Sequence, residues 1–322
     1  MGKHIKYGGK MTNRYFDGKK VLVTGGAGFL GKQVVDQIQK AGDPESISIP
    51  RSKDTDLRKW DQCVKVVRKM DIVIHLAANG GGIGYNLAHP GQLFYDNAVM
   101  GIQIIQAARI YGAEKMVIIG TVCAYPKYTE VPFSEDRLWD GYPEETNAAY
   151  GLAKKMLLVQ SQAYREEFNF NSIYLLPVNL YGPGDDFHPH TSHVIPALIK
   201  KFVDAKNNKN PYVEVWGTGT ASREFLFVED AARGIVLATE KYNKPAPVNL
   251  GSGTEITIKK LVETIHESVG YEGYIKWDCT KPDGQPRRRL DTTRAKKEFG
   301  FESEVGFKEG LKRTVDWYLE HK

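Results

Sequence analysis

The stretch that most confines the fold is "KKVLVTGGAGFLGKQVVDQIQKAG", Lys19 to Gly42. A β-rich run leads into a glycine-dense turn, and apolar Val34, Val35 and Ile38 then recur at helical spacing until Gly42 ends the pattern. This predicts a strand, a tight turn and a helix. Gly25, Gly28 and Gly31 stand three apart in the turn. In isolation such a triplet marks only a turn that needs positive φ. Between a strand and a helix it also lets the backbone approach a pyrophosphate at the helix N-terminus, where unpaired N–H groups and the helix dipole favour an anion. The end of the second strand selects the dinucleotide, because an acid there bonds the adenosine ribose whereas Arg accommodates a 2′-phosphate. In "IPRSKDTDL" Arg51 and Lys53 precede any acid. NADP(H) is therefore favoured over NAD(H), unless both side chains are merely solvated.

The strand–helix rhythm continues. "SISIP", "DIVIHLAA", "EKMVIIG" and "NSIYLLPVNLYG" are strand-like, and "GQLFYDNAVMGIQIIQAARIYG" and "AAYGLAKKMLLVQSQAYREEF" are helical. Near-continuous apolar strands alternating with helices indicate an α/β fold, a Rossmann-type doubly wound parallel sheet covered on both faces. After Gly182 the rhythm breaks into "PGDDFHPHTSHVIPALIKKF", a strand-like "YVEVWGTG" and a loop-rich final third. The predicted division is a loose N-terminal extension over 1–16, a dinucleotide-binding domain over 17–182 with returning segments from about 224–252, and a smaller C-terminal α/β substrate domain over 183–322.

Lys and Arg total 44 against 39 Asp and Glu, a net charge of +5 without a long block of either sign, so no nucleic-acid partner is expected. The surplus suits a phosphorylated small molecule. Cys63, Cys123 and Cys279 form an odd set without CxxC spacing, which argues against a disulfide framework or a zinc site and fits a reducing cytoplasm. His188, His190 and His193 in "HPHTSH" lack a helical i, i+4 pair and an accompanying Cys or Glu cluster, so no metal is expected. No apolar window reaches membrane-spanning length, and the basic, glycine-rich first twenty residues lack the apolar centre of a secretory signal, so neither a membrane partner nor export is expected.

Two local patterns carry chemistry. Tyr150 and Lys154 in "YGLAK" are four apart and share a helix face. A phenol, with an ordinary pKa of about 10, is a poor acid–base group near neutrality, and an adjacent ammonium favours phenolate. In "VIIGTVCAYPK", Cys123 follows an apolar strand and precedes Tyr-Pro. It reads either as a small buried apolar residue or as a chemical thiol.

The glycine turn, the "DIVIHLAA" strand, Asn97 in "FYDNAVMG" and the Tyr-x-x-x-Lys pair, in that order, resemble the extended short-chain dehydrogenase/reductase superfamily from about Lys19 to the C-terminus. Within it the sequence resembles the GDP-L-fucose synthases through "GTVCAYP", "NLYGPGDDFHPHTSHVIPALIKKF", "VWGTGTASREFLFVEDAA", "VNLGSGTEITI" and "KPDGQPRRRLD". The strand end lacks the Thr-Asp-Glu of the nucleotide-sugar 4,6-dehydratases. The resemblance implies a 3,5-epimerisation and NADPH-dependent 4-keto reduction of a GDP-linked 4-keto-6-deoxy-mannose. It makes Thr121, Cys123, Tyr150, Lys154 and His193 catalytic, with His193 the acid paired with the cysteine. It assigns the cofactor to Gly25, Gly28, Phe29, Leu30, Gly31, Arg51, Asp56, Leu57, Ala77, Tyr150 and Lys154, and the GDP-sugar substrate to Asn179, Lys201, Trp216 and Arg223. It also implies a homodimer formed through an intersubunit four-helix bundle, with Met156 to Val159 in the contact.

The sequence departs from that family's pattern at Thr121, which keeps a hydroxyl, at Val122, which loses one, at Ala27 in the glycine turn, and in "GGGIGYNLAHPGQ". Two other functions stay open: a 4-reductase or 4-epimerase of another nucleotide sugar, and a redox-sensing regulator that binds NADP without turnover.

Overall fold

The computed structural model describes residues 14–281 and 285–322. In chain order the elements are β1 (Lys20–Thr24), α1 (Phe29–Ala41), β2 (Ser46–Ser48), α2 (Trp60–Val67), β3 (Ile72–His75), α3 (Ile83–Ala88), α4 (Pro90–Ile110), β4 (Lys115–Ile119), α5 (Ala148–Phe168), β5 (Ser172–Pro177) and β6 (Asn179–Tyr181). There follow α6 (Val194–Asn207), β7 (Tyr212–Trp216), β8 (Ser222–Phe227), α7 (Val228–Lys241), β9 (Val248–Leu250), β10 (Glu255–Thr257), α8 (Ile258–Val269), β11 (Tyr274–Asp278), α9 (Thr293–Phe299) and α10 (Phe307–His321).

Six strands form one parallel sheet in the order β2-β1-β3-β4-β5-β9. The inner strands β3, β4 and β5 are buried along their whole length, as the near-continuous apolar runs predict. Helix α1 packs on α7, and α4 packs on α2 and α5, giving two helical groups against the sheet. From β1 the chain goes outward to β2 and then returns past β1 to β3. The carboxyl ends of β1 and β3 thus form the switch point where open α/β sheets bind ligands.

The remaining strands make two small sheets, β10-β8-β6 and the parallel pair β11-β7. They share a second buried apolar cluster with α6, α8 and α10. The first cluster takes in α7 and β9 and, further on, Ala295 and Phe299 of α9, so the chain returns to the main core later than the returning segments about 224–252 anticipate.

The predicted extension over 1–16 needs one correction. Residues 1–13 lie outside the described residues, but Phe16 is fully buried in the first cluster, and its Cβ would sit 2.7 Å from any side chain placed on Gly42. An aromatic ring seated at the end of α1 belongs to the core rather than to a loose arm.

Candidate active site

The glycine turn is built by close approach. Gly25 has φ +72°, and a Cβ there would lie 2.8 Å from Ala77 N, while a Cβ on Gly31 would lie 2.1 Å from Gly25 O. Only hydrogen at these positions lets α1 start directly behind β1 and leaves a cradle at its N-terminus. Phe29 and Leu30 open the helix half-buried. Thr24 Oγ1 joins the ends of β1 and β3, accepting from Ala77 N at 3.3 Å and lying 2.8 Å from His75 Nδ1. Burial, aided by the charge of Lys154, holds the His75 imidazole down at about 3, so it is a neutral spacer beneath the site. Arg51 and Lys53 are both exposed in the turn after β2. Leu57 is buried. Asp56 pairs with Arg58 at 2.9 Å, which holds its carboxyl below the usual range. Arg58 reaches on to Asp96, Asp96 to Asn79, and Asn97 Oδ1 accepts from Asn79 N at 3.1 Å. A polar chain thus runs from the expected adenine end to the loop after β3.

The second group of residues sits at the ends of β4 and β5. After β4 the chain makes a single 3₁₀ turn, Val122–Ala124, capped by Thr121 Oγ1, which accepts from Cys123 N at 3.2 Å. That bond occupies a lone pair and leaves the Thr121 proton to be donated. The Cys123 side chain is half-buried. Helix α5 lies directly against this turn: a Cβ on Gly151 would fall 2.3 Å from Cys123 O. Tyr150 and Cys123 are consequently within electrostatic reach of one another.

Burial raises the Tyr150 phenol well above its ordinary value, with a smaller contribution from Cys123. Lys154, 2% exposed, is pushed down to about 8 by its own burial. Burial, not the ammonium of Lys154, is what sets the phenol in this structure. A protonated phenol is the form that can give a proton to an oxygen formed beside it.

His193 caps α6. The residue is exposed, but its imidazole faces enough protein for burial to lower its pKa, against an opposing effect from Asp186. The loop after β3 connects it to the tyrosine: a Cβ on Gly80 would be 3.6 Å from the Tyr150 ring, and Gly82 N donates to Thr191 O at 2.8 Å. Asn179 on β6 donates to Glu224 O at 3.0 Å. Lys201 of α6 bonds Glu214 O, and Trp216, at the end of β7, is 65% exposed beneath Lys281. Arg223 of β8 donates to Gln285 O at 2.6 Å. Thr121, Cys123 and Tyr150 thus lie together after β4, and the loop after β3 runs between Tyr150 and the segment leading to His193, whereas Lys201 and Trp216 belong to α6 and β7.

Several residues at this site escaped the sequence reading: Gly151, His75, Glu224, Gln285 and Arg288. Glu224 is buried and accepts from Leu290 N at 2.6 Å and Gly253 N at 2.7 Å, tying two loops to β8. Arg288 Nη1 lies 3.9 Å from Cys123 Sγ. The signal available for it was the run "RRR", which does not say which arginine turns inward.

A match to the NAD dependent epimerase/dehydratase family spans residues 21–251. A protein called GDP-L-fucose synthase 1, from Arabidopsis thaliana, is 37% identical over 307 residues, covering 94% of this chain and 94% of its own. The chain belongs to the GDP-L-fucose synthase family. Another relative, called GDP-L-colitose synthase, from Yersinia pseudotuberculosis, is 34% identical and covers 94% of this chain and 99% of its own. The solved structure of a GDP-L-fucose synthetase from Naegleria fowleri bound to NADP superposes with a TM-score of 0.86 at 30% identity, over 94% of this chain and 93% of that one. As a member of this family the chain is an NAD(P)-dependent nucleotide-sugar epimerase/reductase. Its glycine cradle fits the family's cofactor, because the space at Gly25 and Gly31 closes as soon as either carries a side chain.

Proposed function

We propose that the chain converts GDP-4-keto-6-deoxy-D-mannose to GDP-L-fucose. The observation that carries the reading is the fixed neighbourhood of Cys123, Thr121 and Tyr150, with α5 pressed against the cysteine's own carbonyl. A thiolate beside a ketone site can remove the acidic proton on carbon 3 or 5, forming an S–H bond and leaving the C–H electron pair as an enolate. His193 returns a proton from the opposite face, inverting the centre. Thr121 and Tyr150 then hold the carbon 4 oxygen, and Tyr150 donates its proton as the ketone is reduced. NADPH, when bound, supplies the hydride. Gly25, Gly28, Phe29, Leu30 and Gly31 would hold its pyrophosphate, Asp56, Leu57 and Ala77 its adenosine half, and Arg51 with Lys53 its 2′-phosphate. Asn179, Trp216, Arg223 and Lys201 would hold the GDP-sugar.

The same reading includes a twofold homodimer. Phe94, Tyr95 and Ile102 on α4, and Met156 and Val159 on α5, are exposed apolar residues on two adjoining helices.

A related protein named for another GDP-sugar makes the sugar the point to test. The purified enzyme is incubated with a panel of GDP- and UDP-linked keto-sugars and with NADPH or NADH, and the products are analysed by mass spectrometry and NMR. The expected product is GDP-L-fucose, formed faster with NADPH. A product reduced at carbon 4 but unchanged at carbons 3 and 5 would identify a 4-reductase instead.

A further inference from the structure

The segment Gln285–Leu290 is gripped from both of the molecule's cores. On one side Ser222 N donates to Pro286 O at 2.9 Å and Glu224 N to Arg288 O at 3.0 Å, both from β8; on the other Phe133 N donates to Arg289 O at 2.7 Å. Successive side chains of this stretch go different ways. Arg287 is exposed and pairs with Glu255, whereas Arg288 turns in toward Cys123.

The Arg288 guanidinium is anchored along one edge. Its Nε and Nη2 donate to Gln285 Oε1 at 3.2 and 2.9 Å, and the remaining Nη1 points at Cys123 Sγ from 3.9 Å. Gln285 is itself clamped, donating through Nε2 to Lys127 O at 2.7 Å and accepting at its carbonyl from Arg223 at 2.6 Å. Because the guanidinium is planar and permanently charged, fixing two of its nitrogens fixes the direction of the third. Of the other titratable groups, Tyr150 from α5 interacts with the Cys123 thiol and is kept protonated by burial, and Lys154 lies one turn further along α5.

We propose that Arg288 is the positioning residue that places a fixed positive charge beside the Cys123 sulfur and keeps that sulfur aimed at the substrate carbon. The proposal rests on Cys123 being the proton-exchanging base. Only the thiolate can take the proton: an S–H bond forms, the C–H pair moves into the enolate, and the negative charge passes from sulfur to the carbonyl oxygen. A fixed cation beside the sulfur favours the charged reactant before that transfer. It also links the reaction to Arg223, since both arginines bind the same glutamine, so a substrate that engages Arg223 acts on the residue that orients Arg288.

The test is alkylation of the full-length enzyme by iodoacetamide over about pH 5–10, without substrate, read at Cys123 by peptide mass spectrometry with exposed Cys279 as the reference thiol. In Arg288→Met, Cys123 labelling near pH ~7 should fall roughly tenfold relative to Cys279, and the shortfall should close as the pH is raised. Arg288→Lys, which keeps the charge without the fork, should recover part of the labelling. Gln285→Ala, which frees the guanidinium without removing it, should give an intermediate loss and serves if Arg288→Met does not fold. A wild-type labelling profile in Arg288→Met overturns the proposal, and if the Michaelis constant for the GDP-sugar then rises, Arg288 belongs to the diphosphate. The readout requires no turnover. A shifted profile in an enzyme that exchanges no substrate protons would uphold the ion pair and reject the epimerase reading.

Discussion

At Gly151 the absence of a side chain sets the distance between the two chemistries of the site. Its missing Cβ would lie 2.3 Å from Cys123 O, a backbone atom that cannot rotate away. Gly151→Ala should therefore push α5 off the 3₁₀ turn, lowering stability by about 1–3 kcal/mol and separating Tyr150 from Cys123. Thermal unfolding and NADPH oxidation should both register the change. Lys154 presents the opposite trade. Its folded pKa of about 8 lies below the usual lysine value because it is buried, so at pH 7 the folded state carries a charge it would rather lose. The unfolded chain holds the proton more tightly between about pH 8 and 10.5, and stability rises through that window. Lys154→Met should be more stable than wild type at pH 7 by about 1–3 kcal/mol, should lose this advantage toward pH 10, and should reduce ketone far more slowly. Denaturant titrations at the two pH values check the sign. Tyr150, Lys154 and the glycine triplet were legible because their meaning lies in local spacing. Arg288 was not, since it meets a cysteine 165 positions away only through the path of the chain between the two cores.

Among the elements, the long helices α4 and α5 carried their message in composition. Their apolar residues spread wider than one sheet-facing stripe, and the structure shows where the excess goes. Leu157 and Leu158 turn inward, while Met156 and Val159 remain exposed beside Phe94, Tyr95 and Ile102. The expected contact over Met156 to Val159 thus narrows to its two outer residues. If these faces pair two subunits, wild type should sediment as a dimer at micromolar concentration, and Met156→Glu with Val159→Glu should give a folded monomer. A wild-type monomer under those conditions would remove the dimer from the account. The loop "NGGGIGYN" was less readable. Its glycines erase any hydrophobic period, so nothing local announced that α3 would form there or that Gly82 would bond the loop before His193.

For the whole molecule, the parallel sheet was the easier half to read. Buried parallel strands must be apolar along their length, and helices between them must show one apolar face, so the alternation is written into the sequence. The small sheets β10-β8-β6 and β11-β7 pair strands far apart in the chain, and no residue pattern specifies those partners. That second half supplies Arg223, which with Gln285 and Arg288 forms the group that ends beside the cysteine, and this is why the reaction class was legible while the full site was not. The central claim is that one site exchanges protons through Cys123 and reduces through Tyr150. Incubation of the keto-sugar nucleotide in deuterium oxide, with incorporation at carbons 3 and 5 followed by NMR and NADPH consumption followed alongside, separates the two. Cys123→Ser should abolish incorporation while hydride transfer remains possible, and Tyr150→Phe should keep incorporation while NADPH consumption falls by roughly 10²–10⁴. Incorporation at the wild-type rate in Cys123→Ser would contradict the account and leave the enzyme a 4-reductase or 4-epimerase with an idle cysteine.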